Sequence, residues 1–83
     1  MYFKLEIKLK DDSLVQIREG FISPDRISLG SQLTIGYWND SYETEPITMY
    51  MHDPVTNIWE FMTADGYEYV LTPIEQPKKD YIN

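Results

Sequence analysis

Residues 46–72 read PITMYMHDPVTNIWEFMTADGYEYVLT. Three runs rich in apolar and aromatic residues, 46–52, 58–63 and 67–72, are separated by two turn signals. In the first, Pro54 presets the φ angle of a turn and Asn57 tolerates a left-handed backbone. In the second, Asp65-Gly66 sits between two such runs, a strong tight-hairpin signal. The stretch therefore predicts two linked antiparallel hairpins.

Turn length sets the pairing, and the pairing sets the faces. With His52 opposite Ile58, Met51 opposes Trp59, Met49 opposes Phe61 and Ile47 opposes Thr63. With a two-residue turn at Asp65-Gly66, Phe61 opposes Val70 and Met62 opposes Tyr69. One face then carries Ile47, Met49, Met51, Trp59, Phe61 and Val70, the expected core. The other carries Thr48, Tyr50, His52, Ile58, Glu60, Met62, Tyr67, Tyr69 and Leu71. This Tyr-rich face reads either as second-layer core, where tyrosine is at home with its hydroxyl wet, or as a binding surface.

The rest of the chain keeps the period of two. In residues 1–10, Met1, Phe3, Leu5, Ile7 and Leu9 share one face while Tyr2, Lys4, Glu6, Lys8 and Lys10 share the other, the pattern of a half-buried strand. KDDS (10–13) predicts a turn. A second strand over 14–22 keeps Val15, Ile17 and Phe21 on its odd face, with a bulge expected at Glu19-Gly20. In SPDRISLG (23–30), Ser23 suits a cap, Pro24 a first helical position and Gly30 the residue past the end. SQLTIGYW (31–38) predicts a third strand, and 39–46 a polar loop. The expected fold is all-β: a small antiparallel barrel or roll of about six short strands, with at most one helical turn near residues 24–29. Residues 1–73 form a single compact domain and 74–83 a loosely ordered C-terminal tail. The expected core is Phe3, Leu5, Ile7, Val15, Ile17, Leu33, Ile35, Met49, Met51, Trp59, Phe61 and Val70.

A chain of 83 residues is one domain, and at this size only about 60–65% of the unfolded surface is buried. It has no cysteine, which excludes disulfides, thiolate zinc sites and cysteine nucleophiles and points to a reducing compartment. Residues 1–9 alternate rather than forming the unbroken apolar core of a signal peptide, and no run is long enough for a membrane helix. The expectation is a cytoplasmic protein.

The net charge of −7 is unevenly placed. Residues 1–26 balance five basic against five acidic side chains. Residues 27–77 hold no Lys or Arg, eight acids and eight of the twelve aromatics. A field of one sign repels phosphate backbones and anionic lipids, so neither direct nucleic-acid binding nor membrane binding is expected.

The chemistry is sparse. His52 beside Asp53 is the one acid–base candidate, but adjacent strand residues point to opposite sides and orient one another poorly. The acids at 11–13 and 39–45 lack the ligand spacing and central glycine of a calcium loop, and transition metals want several His or Cys. Gly20, Gly30, Gly36 and Gly66 are too scattered to cradle phosphate. No catalytic residue, metal or cofactor is expected, and the protein is read as non-enzymatic.

Elimination leaves binding. The first reading is an acidic module for a basic protein partner, through Asp40, Tyr42, Glu43, Glu45, Tyr50, Glu60, Tyr67 and Tyr69. Carboxylates would stand in for phosphate on a nucleic-acid-binding protein and inhibit it. Small acidic inhibitors of host nucleases from phages and mobile elements are similar in size and charge, though not in motif. The alternative is a structural or assembly module that oligomerises, for instance as a homodimer, through β-edges or the Tyr-rich face. A third is a small-ligand or oligosaccharide binder using Trp38 and Tyr42.

Overall fold

The computed structural model describes residues 2–9, 11, 13–36 and 40–75. They form seven strands: β1 (Tyr2–Lys8), β2 (Leu14–Phe21), β3 (Thr34–Gly36), β4 (Ser41–Glu43), β5 (Ile47–Asp53), β6 (Ile58–Thr63) and β7 (Glu68–Pro73). Among the described residues the one helical element is a 3₁₀ turn, Pro24–Arg26. All pairings are antiparallel and make one sheet, in the order β4-β3-β2-β1-β7-β6-β5. The sheet curls into a half-barrel, so the all-β barrel or roll read from the sequence is what forms. The strand beyond the expected six is β4, which lies inside the stretch read as a polar loop. Pro24 takes the first helical position, as its fixed φ favours, but Ser23 makes no side-chain cap bond.

β1 runs through the middle of the sheet. Phe3, Leu5 and Ile7 point inward and are buried, and Lys4, Glu6 and Lys8 point outward. Its alternation of charge admits no other orientation, because turning it over would bury three charged groups. Around its inner face the core gathers Ile22, Ile27, Leu33, Ile35, Ile47, Phe61, Tyr69 and Leu71, with Tyr42, Trp59 and Tyr67 packed against it. Residues 30–33 stitch the two ends of the curl together. Gly30 and Ile47 share a backbone bond of 2.7 Å, the Ile47 amide donates to Ser31 at 2.8 Å, and the Thr44 amide donates to Leu33 at 2.9 Å. Buried Thr44 completes the join, accepting from the Leu33 amide and donating to the Glu45 carbonyl.

Three single-residue events turn strand faces away from the sequence expectation. The first is a bulge in β2. Lys8 opposes Leu14 but Ile7 opposes Gln16, which leaves Val15 as the extra residue. From there Arg18 opposes Leu5 and Gly20 opposes Phe3, so Val15 and Ile17 stand about half exposed rather than in the core. The bulge is thus at Val15, not at Glu19-Gly20.

The second event is a bulge at Thr48. Ile47 opposes Thr63, as expected, but Met49 then opposes Met62 and Tyr50 opposes Phe61. The hairpin closes with Asp53 opposite Ile58, one residue tighter than His52 opposite Ile58. Asn57 turns the corner at φ 60°, and its amide donates to the Asp53 carbonyl at 2.7 Å. Met49 and Met51 consequently face outward, 54% and 64% exposed.

The third event is the loop at Asp65-Gly66. It holds three residues, not two: the Thr63 amide donates to Tyr67 at 3.1 Å, and Gly66, at φ +90°, donates back to Thr63 at 2.9 Å. This is a turn closed by a left-handed glycine, and it moves β7 by one residue. Phe61 opposes Tyr69 and Glu60 opposes Val70. Tyr69 and Leu71 become core, while Trp59 and Val70 are only half-buried. At the other end of β7 the pairing continues past Pro73, where Ile74 donates to Tyr2 at 3.0 Å. The tail beyond Glu75 lies outside the described residues.

Candidate functional site

Residues directly opposite in an antiparallel pair share a face, so the pairings place every side chain on β5–β7. The inner face receives Trp59 and Leu71 in one row, and Tyr50, Phe61 and Tyr69 in the next. The outer face receives Met51, Glu60 and Val70 in one row and Met49, Met62 and Glu68 in the next. Between them lies a groove of about 190 Å³, lined by Met49, Met51, Met62 and Val70, with Glu60 and Glu68 beside them. β1 borders this patch with Lys8 opposite Glu68 and Glu6 opposite Val70.

The inner row is a structural layer. The Phe61 and Tyr69 rings stack at 4.7 Å between centroids. The Tyr69 and Tyr42 hydroxyls share a hydrogen bond of 3.0 Å, joining β4 to β7 across the inside of the curl. Burial first, and then this bond, push the Tyr69 phenol far above its ordinary range, so it is neutral at physiological pH. Thr63, also buried, donates to Asp65 in the neighbouring loop.

The eight residues read as partner contacts fall into three places. Asp40, Glu43 and Glu45 are exposed at and around β4, at one end of the sheet order. Tyr42, Tyr67 and Tyr69 belong to the interior: Tyr69 has no exposed surface, and the other two are half-buried against the core. Tyr50 is 44% exposed on the inner row, and Glu60 is exposed on the outer face. Glu60 is on the other side of the sheet from the tyrosines, and Tyr69 is closed off from any partner. Met49, Met51, Met62, Val70 and Glu68 were not among the expected contacts. The bulge at Thr48 brings out Met49 and Met51, and the three-residue loop at 64–66 brings out Val70 and Glu68.

The side-chain hydrogen bonds of His52 and Asp53 go to the turn residues. His52 stacks on Trp59 at 4.0 Å, and its Nε2 pairs with the Asn57 amide oxygen at 2.7 Å. The Asp53 carboxylate accepts from the Val55 amide at 2.9 Å, which first of all holds its pKa below the usual range. Both residues shape the turn. Trp38 lies outside the described residues. Among the described residues, no group of three or more His, Asp or Glu is placed to hold a metal ion, and no helix is long and apolar enough to cross a membrane.

No known protein family, curated protein or solved structure matches the chain.

Proposed function

We propose that the protein is a small, non-enzymatic binding module for a basic protein partner. One observation carries this reading: among the described residues the outer face of β5–β7 stays open, with Met49 and Met51 more than half exposed beside two carboxylates, in a stretch that has no Lys or Arg from 27 to 77. Exposed apolar patches rimmed by charge are where partners dock. Acids of one sign speed the approach of a basic protein, and the apolar contacts then set how long it stays. Where that partner is a nucleic-acid-binding protein, the carboxylates compete with phosphate and the module inhibits it.

The test is capture of the partner from the source cell, followed by titration at low and high salt. A basic partner whose affinity falls steeply with salt is the expected result. A neutral or acidic partner bound equally well at both salts sinks the proposal.

A second reading, an assembly module, is favoured by one feature. β5 is a seven-residue edge strand with no lysine and no internal proline, and beyond the Thr48 bulge and the join of Ile47 to residues 30–31 it carries few of the usual guards against edge pairing. Sedimentation of the pure protein decides it, since a concentration-dependent dimer that resists salt supports assembly.

A further inference from the structure

We infer that the outer face of β5–β7 is the seat of a basic amphipathic helix supplied by the partner; this rests on the basic-partner reading above. The dimensions agree. From β5 to β7 is two strand spacings, about 10 Å, and a helix with its side chains is about 10–12 Å across. One helix laid on the three strands would cover the patch from edge to edge.

The lining agrees as well. Three of the apolar groups are methionines, unbranched and polarizable, which repack around an irregular row of side chains better than branched residues do. Two of them, Met49 and Met51, are more than half exposed on an edge strand, where their reach does nothing for the fold. The charges select the occupant. Each row across the strands holds two apolar groups and one carboxylate, Met51–Glu60–Val70 and Met49–Met62–Glu68. That alternation suits a helix with an apolar stripe flanked by Lys or Arg. The outer face of β1, Lys4, Glu6 and Lys8, borders the seat with a net charge of +1 and ends the anionic field on that side. A second copy of the chain fits poorly, because it would bring another Glu60 and Glu68 to the same seat and add a net charge of −7 to another.

The experiment uses the full chain and two fluorescent Leu/Lys peptides of the same composition, each about five turns long. One has its leucines on a single helical face, and the other has them scattered. Binding is read by anisotropy at two salt concentrations, and the methionine methyl groups are followed by NMR. The one-faced peptide is expected to bind roughly tenfold or more tighter than the scattered one, and to shift the methyls of Met49, Met51 and Met62. The double variant Met49→Thr/Met51→Thr keeps strand-forming residues at exposed positions, so it stays folded; it should lose roughly tenfold or more in affinity. Glu60→Gln/Glu68→Gln should weaken binding and flatten its salt dependence.

If both peptides bind alike and the methionine variant behaves as wild type, the helix seat is wrong. Should Asp40→Lys/Glu43→Lys/Glu45→Lys then abolish that binding, the basic-partner reading survives at the β4 end while the seat is lost. If wild type binds neither peptide, and no basic protein either, both fall. A wild-type dimer that the methionine variant dissolves makes the face a self-interface and overturns the inference.

Discussion

β1 and β5 are both seven-residue strands with apolar residues at alternate positions, yet only β1 can be oriented from its sequence. In β1 the face opposite Phe3, Leu5 and Ile7 is Lys4, Glu6 and Lys8. Burying that face would leave charges without water, which costs far more than so small a domain holds in reserve. In β5 the two candidate faces are Ile47, Met49, Met51 and Thr48, Tyr50, His52. Before Asp53 ends the strand neither carries a fixed charge, and either could be buried. Position sharpens the contrast: β1 is clamped between β2 and β7, while β5 is an edge with β6 on one side. A charged face orients a strand; without one, the orientation passes to the count of residues in a turn or bulge.

The largest test of that difference lies on β7, whose orientation also depends on the 64–66 loop. Leu71 has no exposed surface and Val70 is half-buried on the outer face. Leu71→Ala should lose about 2–5 kcal/mol of unfolding free energy, and Val70→Ala no more than about 1 kcal/mol. Denaturant titration of the two variants measures both. The reverse order would restore the two-residue turn and put Val70 inside in place of Leu71.

The next test is on the loop itself. Gly66 sits at φ +90°, and an added Cβ would meet no atom within 4 Å. The cost of Gly66→Ala is therefore backbone strain alone, about 1–2 kcal/mol. A neutral Gly66→Ala would mean the loop does not need a left-handed residue, and the count of three would lose its support.

What could be read from the sequence follows the same division. β1, the 3₁₀ turn after Ser23 and the places of both late turns were readable, because charge alternation, Pro24 and the Asp-Gly and Pro54…Asn57 signals each have one local meaning. The loop length was not, since Asp-Gly serves turns of two residues and of three. Nor were the bulges at Val15 and Thr48, which follow from fitting one strand against another. The join between residues 30–33 and 44–47 is made by backbone bonds in a stretch with no period. For the candidate site, the acid-only half of the chain was visible. The methionine groove was hidden because two separate one-residue shifts, the bulge at Thr48 and the loop at 64–66, assigned Met49 and Met51 to the core and Tyr69 to the surface.

Tyr69 offers a smaller and more specific test. Tyr69→Phe removes the bond to Tyr42 and should cost about 0.5–1.5 kcal/mol at neutral pH. Burial raises the phenol's pKa in the folded state above its unfolded value of about 10. Its contribution is therefore complete below about pH 10 and is lost as pH climbs, because the unfolded chain ionises first. The variant lacks that loss, so its stability and that of wild type should converge in alkaline solution. Denaturant midpoints taken from neutral to alkaline pH measure this, and parallel curves would place the Tyr69 hydroxyl in water.

The smallest expected effect concerns β2, where the bulge at Val15 leaves Ile17 53% exposed and opposite Glu6. Without the bulge, Lys8 opposite Leu14 would continue to Ile7 opposite Val15 and Leu5 opposite Ile17, and Ile17 would be core. Ile17→Thr separates the two arrangements. Both residues are β-branched and suit a strand, so at an exposed site the change should stay within about 0.5 kcal/mol. In the unbulged pairing the threonine hydroxyl would lie against Leu5 without a partner, at a cost of roughly 1–3 kcal/mol. A near-neutral Ile17→Thr beside a damaging Leu71→Ala would show that the same kind of one-residue shift governs both ends of the sheet. It would also mean that the apolar side chains of β2 are turned outward, separated from the methionine groove by the charged stripe of Lys4, Glu6 and Lys8.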